Sequence, residues 1–283
     1  MALVGILIVL GCVGGGFAIA GGNFGVLFQP AEFVVIVGAG VGALVATAPG
    51  RMRARVMRAL KAAFKDGVPK KDDYLELLKL LYDVFQLVRR NGALALEPHL
   101  AEPQKSALFK KYGGFMKNHH AVPFLMEALE QMINGVEVHD LDQLMEAELE
   151  TFKEEGHLPI GLIKTVGDSL PGIGIVAAVL GIIVTMSHMD APPAVIGHHV
   201  AAALVGTFLG ILLSYGVMGP LANNVELQEA HQLRYLQCIR TGLISSMKGA
   251  SPSIAVEFAR KTVFADDRPA SRDVAKALAS VKG

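Results

Sequence analysis

Four apolar segments alternate with segments rich in charge along this chain. Two of them cover residues 3–20 and 33–49, and two more lie within residues 168–221. Each approaches the roughly 20 apolar residues that an α-helix needs to cross a bilayer. The pattern therefore predicts an all-α membrane protein with four transmembrane helices.

The charged segments carry the 3.6-residue periodicity of helices outside the membrane. Asp73 and Glu76 have the spacing of a capping box, so we predict a helix that begins at Asp73 and ends at Asn91-Gly92. Two further helices are predicted over residues 121–134 and 140–155, each stopped by the glycine that follows. The resulting architecture is a four-helix membrane part with a helical cytoplasmic domain.

These patterns divide the chain into four consecutive parts. We predict transmembrane helices 1 and 2 with a short periplasmic loop, a cytoplasmic helical domain, transmembrane helices 3 and 4, and a cytoplasmic C-terminal tail. In that order, they cover residues 1–49, 50–167, 168–221 and 222–283.

Charge supports the same topology. The mean hydropathy is +0.44, and all 26 lysines and arginines fall within residues 51–164 and 234–282. Positive residues concentrate on the cytoplasmic side of membrane proteins, so both blocks are predicted to be cytoplasmic. Four spans then leave both termini inside, in a multi-pass protein of the bacterial inner membrane.

Several kinds of chemistry are disfavoured by the sequence. The glycines of GAGVGA at residues 38–43 lack the strand and the acid-bearing βαβ unit of a dinucleotide site, so helix packing through Gly38 and Gly42 is the better interpretation. Adjacent histidine pairs have no further ligand at metal-site spacing. The basic block after residue 50 adjoins a span, which favours lipid over nucleic acid. We expect no enzyme activity, metal or cofactor.

The spans themselves offer little for ion passage. Glu32 and Asp168 stand at span ends and Asp190 in the connecting loop, whereas ion pathways ordinarily use a buried charged group. Thr207 shares a helix face with Ser214, beside a close-packing pair of glycines at 206 and 210. Such hydroxyls most often bond back to their own helix. The chain is thus either a helical scaffold or an ion-driven machine whose acid belongs to a partner.

Long stretches of the sequence resemble one family. They are ALVGTFLGIL at residues 203–212 followed by Pro220, VGDSLPGIGIVAAVLGIIVTM in the third span, LVRRNGALALE in the cytoplasmic loop, and PSIAVEFARKTVFADDRPAS in the tail. These segments are similar to the MotA family of flagellar motor stator subunits, within the MotA/TolQ/ExbB proton channel group. The resemblance covers nearly the whole chain.

The resemblance implies partners and a mechanism. Members of the family form a ring, thought to be a pentamer, around two copies of MotB, a single-span subunit that binds peptidoglycan and carries a membrane aspartate. Protonation of that aspartate is believed to step the ring, whose cytoplasmic face drives the rotor protein FliG.

The resemblance also implies roles for particular residues. Pro171 and Pro220 match prolines that couple ion flow to movement, and Thr207, Ala178 and Tyr215 match positions facing the ion path. Arg89 and Glu97 match the charged pair that contacts the rotor, although the last-turn arginines alone suggest only helix-end electrostatics. Because Arg90 adjoins Arg89, the choice between them stays open. Glu148, with Glu150 nearby, matches an acidic position at the inner mouth.

The residue at position 178 bears on the coupling ion. Sodium-driven relatives usually have threonine there, whereas this chain has alanine, which removes an oxygen ligand from the path. We therefore predict proton coupling. Two alternatives remain: an ExbB- or TolQ-like energiser of outer-membrane processes, which usually has three spans, and a membrane scaffold without ion flux.

Overall fold

The computed structural model describes residues 2–65 and 67–279, and every regular element in those ranges is helical. Twelve α-helices follow one another in this part of the chain. They are α1 (Ala2–Ile19), α2 (Phe24–Leu27), α3 (Pro30–Thr47), α4 (Gly50–Ala63), α5 (Lys71–Asn91), α6 (Glu97–Ala101), α7 (Ala121–Ile133), α8 (Val138–Met186), α9 (Pro193–Leu213), α10 (Gly219–Met247), α11 (Pro252–Thr262) and α12 (Ser271–Ala279). A π-helical segment, Ser214–Met218, joins α9 to α10.

Four helical stretches are long and apolar enough to span a membrane, which confirms the predicted number. They are Ala2–Ile19, Phe24–Thr47, Val138–Met186 and Pro193–Met247. The 49 residues of α8 are more than twice the roughly 20 that an α-helix needs to cross a bilayer. A bilayer core is about 30 Å thick, so only part of α8 can lie within it.

The prediction that a helix stops at Gly156 is wrong. Helix α8 continues through Gly156 into the third span, whereas Gly135 does end α7, with φ of +80°. A glycine ends a helix when its backbone adopts the left-handed conformation, and Gly156 does not adopt it. A helical glycine costs only about 1 kcal/mol relative to alanine.

The start of α5 also differs from the prediction. The helix begins at Lys71, and Asp73 is its third residue, whose carboxylate accepts a hydrogen bond from the Lys70 backbone N–H at 2.8 Å. Glu76 instead accepts from the backbone N–H of Gly114 at 2.8 Å. The predicted end is confirmed, because Gly92 adopts φ of +82° directly after Asn91.

The chain divides into two compact units. The first consists of residues 1–67 and 155–228, so α8 and α10 each contribute to both units. An apolar cluster in this first unit joins α3 to α8 and α9; its buried members are Ile36, Leu170, Ala177, Val205 and Leu209. Packing of α3 against α8 involves Gly40, where an added Cβ would lie 3.2 Å from Leu170 Cδ2. A Cβ added to Gly38 or to Gly42, which were expected to pack, would meet nothing within 4 Å among the described residues.

The basic helix α4 belongs to the first unit as well. Val56 packs with Ile163 of α8 and Ala222 of α10 in a small buried cluster. Arg55 forms an ion pair with Glu155 at 3.2 Å, and Lys164 pairs with Glu226 at 2.7 Å. These exposed or half-exposed pairs orient the helices more than they stabilise them.

The second unit, residues 68–154 and 229–283, is built around α5. Eight residues of α5 are buried in its core: Tyr74, Leu77, Leu78, Leu80, Leu81, Tyr82, Val84 and Phe85. The Tyr74 ring contacts that of Tyr235 with centroids 5.2 Å apart. Arg240 bridges two acids of α8, binding Asp142 at 2.6 Å and also Glu146. An extensive apolar core therefore holds α5 in place.

Candidate functional site

Helices α8 and α9 pack so closely that their backbones touch. A Cβ added to Gly174 would lie 2.7 Å from the Gly206 carbonyl oxygen, and one added to Gly210 would lie 2.6 Å from the Leu170 carbonyl oxygen. Real Cβ atoms cannot approach so closely, so only glycine fits at these positions. We call this contact the glycine seam; its members are Gly174, Gly206 and Gly210.

Two of the predicted ion-path residues lie on the glycine seam. The Thr207 Cα would be 3.3 Å from a Cβ on Gly174, and the Ala178 backbone nitrogen 3.2 Å from a Cβ on Gly206. The Thr185 hydroxyl donates to the Gly181 carbonyl at 2.8 Å, as expected for a hydroxyl in a span. Within the described residues, Thr207 forms no such bond, so its hydroxyl is available to another group.

The two predicted coupling prolines disrupt helices that lie against each other. Pro171 is inside α8, and proline leaves the carbonyl four residues earlier, that of Gly167, without a helical partner. A Cβ on Gly167 would lie 3.1 Å from Met218 Cβ, in the π-helical segment that ends just before Gly219-Pro220. The turn of α8 before Pro171 and the π-helical segment therefore meet at one end of the glycine seam.

Tyr215, also predicted to face the ion path, lies within the π-helical segment and is 70% exposed. Its neighbour Gly216 instead packs against α1, where an added Cβ would lie 3.0 Å from Val9 Cγ1. The Tyr215 side chain is thus turned away from the core of its own chain and is accessible to another molecule.

Glu32 is a candidate that sequence reasoning missed. It was interpreted as an acid at a span end, yet it is only 8% exposed. A Cβ on Gly206 would lie 2.5 Å from its Oε2, and one on Gly181 would lie 3.5 Å from its Oε1. Its position as the single charged residue of an otherwise apolar helix was the signal available in the sequence.

In the second unit, the predicted rotor-contact residues flank one helix end. Arg89 and Arg90 lie in the last turn of α5, and Glu97 in the first turn of α6, after the turn at Gly92. All three are exposed, and none forms an ion pair with any residue that the structure describes. Their charges are available to an outside partner.

The structure distinguishes the two arginines. A cleft of about 380 Å³ has Arg90 in its lining, together with Asp83, His99 and Lys111, whereas Arg89 is outside it. Asp83 in this cleft accepts a hydrogen bond from the Tyr112 hydroxyl at 2.7 Å. Burial, followed by this bond, raises the pKa of Tyr112.

Glu148 and Glu150 both lie on the part of α8 that belongs to the second unit, and both are exposed. Partial burial, followed by repulsion from Glu127, raises the pKa of the Glu148 carboxyl above its ordinary value. Their role at an inner mouth stays a prediction.

Comparison with known proteins assigns this arrangement to a class and then to a family. The family model described as the MotA/TolQ/ExbB proton channel family matches residues 116–237. The model described as Motility protein A N-terminal matches residues 3–92. The chain is thus a membrane protein of the proton channel class.

Relatives along the whole chain identify the family. Motility protein A of Salmonella typhimurium is 37% identical over 283 residues, covering 100% of this chain and 96% of that protein. Chemotaxis protein LafT of Vibrio parahaemolyticus is 34% identical, with 99% of each chain covered. The chain belongs to the motility protein A family.

Solved structures agree in fold. A chain of the flagellar MotAB stator complex from Bacillus subtilis superposes with a TM-score of 0.76 at 25% identity, covering 91% of this chain and 93% of that one. A chain of C. jejuni MotAB gives a TM-score of 0.79 at 20% identity, with coverage of 94% and 96%.

The glycine seam can be tested with Gly210→Ala. The new Cβ would meet the Leu170 carbonyl, and we expect this overpacking to cost about 1–3 kcal/mol and to lower the Tm of the purified protein in detergent. Gly161→Ala is the matched control, because Gly161 of α8 has open space around its Cα and gains helix propensity. An equal Tm for both variants would show that the seam tolerates a side chain.

Proposed function

We propose that this chain is a flagellar motor stator subunit that couples inward proton flow to torque on the rotor. The observation that carries the proposal is similarity along the whole chain, in sequence to proteins named Motility protein A and in fold to MotAB stator complexes. Its location would be the bacterial inner membrane, with both termini in the cytoplasm, as the two basic blocks favour.

A second subunit completes the ion path in this proposal. Between residues 169 and 225, Asp190 is the only acidic or basic residue apart from histidines, and it is exposed in the α8–α9 connection. A MotB-type subunit with one membrane aspartate would supply the missing proton carrier. Five copies of this chain would form a ring around the MotB-type subunit. Thr207, Ala178 and Tyr215 would face the helices of that subunit.

The glycine seam suggests how ion flow becomes movement. Backbone contact leaves α8 and α9 little freedom to slide independently. Pro171 removes a helical hydrogen bond from α8, and the segment before Pro220 is π-helical. A change of charge on the partner's aspartate would therefore tilt the hairpin at the prolines. Glu148 and Glu150 would guide protons at the inner mouth.

Torque would leave the chain through the α5–α6 corner. Arg89, Arg90 and Glu97 provide both signs of charge on a rigidly held helix end, which suits electrostatic recognition of a charged surface. By the family resemblance, that surface belongs to the rotor protein FliG.

The two alternatives are weaker. An ExbB- or TolQ-like energiser shares the proton channel class, but the match of residues 3–92 to the Motility protein A N-terminal model favours the motor. A scaffold without ion flux would have no need for the prolines or the free Thr207 hydroxyl.

The motor function is tested in cells deleted for this gene. We expect normal filaments that do not turn when tethered to glass, with rotation restored by the wild-type chain and not by Pro171→Leu. The matched control is Pro159→Leu, a change at the other internal proline of α8. Cells that express this variant should rotate. Normal rotation of the deleted cells, with failure of outer-membrane uptake instead, would support the ExbB-like alternative.

The coupling ion is tested by replacing sodium with potassium in the medium. Since Ala178 offers no side-chain oxygen to replace the hydration shell of sodium, we expect rotation to continue at the same speed. Speed that falls with sodium concentration at constant proton motive force would refute proton coupling.

Charge reversal separates the two arginines. We expect Arg89→Glu to abolish rotation while proton flux and membrane assembly persist. Arg89 does not line the cleft that includes Arg90, so its exposed side chain is available to the rotor. Arg90→Glu should have the smaller effect. Lys105→Glu serves as a control, since Lys105 is an exposed lysine of the same unit whose ion pair, among the described residues, is with its neighbour Glu102. Loss of rotation in Arg90→Glu alone would reverse the assignment.

A further inference from the structure

Glu32 belongs to α3, but its carboxylate lies against the interior of α9. It lies in the first turn of α3, yet its carboxylate contacts Gly206, the fourteenth residue of the 21-residue α9. Its Oε2 is buried and has no hydrogen-bond partner among the described residues. The carboxylate is therefore about 20 Å along α9 from its first residue, although Gly181 of α8 lies only five residues before the end of its helix.

An ordinary helix-capping role does not explain this position. A glutamate at the third position of a helix often reaches back to the N-cap backbone N–H. Here the N-cap residue Gln29 takes part in no side-chain cap, and the Glu32 carboxylate extends towards α8 and α9 instead. The helix N-terminus still lowers the cost of a negative charge nearby.

Two glycines make the room that the carboxylate occupies. Its Oε2 fills the space of the missing Gly206 side chain, and its Oε1 lies beside Gly181. Across the facing stretches, residues 169–187 and 200–213, the sequence has no lysine, arginine or histidine that could neutralise it. A buried charge without a partner is costly, so an acid in these surroundings calls for a functional explanation.

Gly206 also connects Glu32 to the predicted ion path. It precedes Thr207, whose hydroxyl has no partner within the described residues, and it packs on the backbone of Ala178. The acid is therefore adjacent to the glycine seam on which those two residues lie.

We propose that Glu32 is a second proton-holding site of the conducting path, supplied by this chain itself. A hydronium ion gives its proton to the Glu32 carboxylate and leaves as water; the neutral acid then passes that proton to water beside Thr207 and regains its charge. Each pass is a proton transfer alone, with no other bond made or broken. The inference rests on the proposed proton flow and adds a carrier to it.

The test uses cells that express the chain together with its MotB-type partner, with internal pH recorded after the medium is acidified in sodium-free buffer. Glu32→Gln keeps the size of the side chain and removes the acid, so we expect proton influx to fall at least about a hundredfold, the low end for loss of a proton-transfer group. Glu32→Asp should retain part of the influx. Asp190→Asn, an exposed acid in the α8–α9 connection, should conduct as the wild type does.

The outcomes separate the two proposals. Absence of influx in the wild type would refute the proposed function. Wild-type influx that Glu32→Gln leaves unchanged would overturn only the role of Glu32, and so would Glu32→Asp conducting no better than Glu32→Gln.

A second readout does not depend on conduction. Infrared spectra of the purified complex should show a protonated-carboxyl C=O band that shifts in D₂O and persists in Asp190→Asn. We expect Glu32→Gln to reduce this band by the part that Glu32 contributes, while the partner's aspartate gives the remainder. A band of equal intensity in the Glu32→Gln complex would assign it to another acid and overturn the proposal.

Discussion

Backbone contact between α8 and α9 is the constraint on which the membrane part depends. Because Gly174, Gly206 and Gly210 have no side chains, the two helices approach until carbonyl oxygens and Cα atoms are in van der Waals contact. Apolar side chains gain little by associating in lipid, so such close packing is a main source of helix association there. The seam also positions Thr207 and Ala178 and makes the space that Glu32 occupies.

The cost of charge in a bilayer explains much of the remaining design. Lysine and arginine are absent from residues 1–49 and 165–233, and the acids of these ranges are few. Glu32 is the exception that reaches into a helix contact, where it is nearly completely buried. In our proposals, a membrane part so poor in charge depends on two kinds of proton carrier, the partner's aspartate and Glu32.

The second unit has the opposite arrangement, since a large apolar core lies inside it and most of its charged side chains, though not Arg260, lie at the surface. The α5 core fixes the helix end that carries Arg89 and Arg90, and Gly92 turns the chain so that Glu97 follows within a few residues. A rigid core with unpaired charges at one corner suits a surface that transmits force, because little energy is lost in reordering the contact residues.

Hydrophobic pattern and charge segregation by themselves determined the four spans, the helical class and the end of α5 at Gly92, because these depend on local composition and on a backbone conformation that glycine favours. Family-specific motifs determined the stator assignment. Only the tertiary structure decided that α8 continues through Gly156, that Gly40 rather than Gly38 or Gly42 packs on α8, and that Glu32 lies against Gly206. Each of these depends on contacts between residues remote in sequence, and a one-residue rotation of a helix changes which side chains meet.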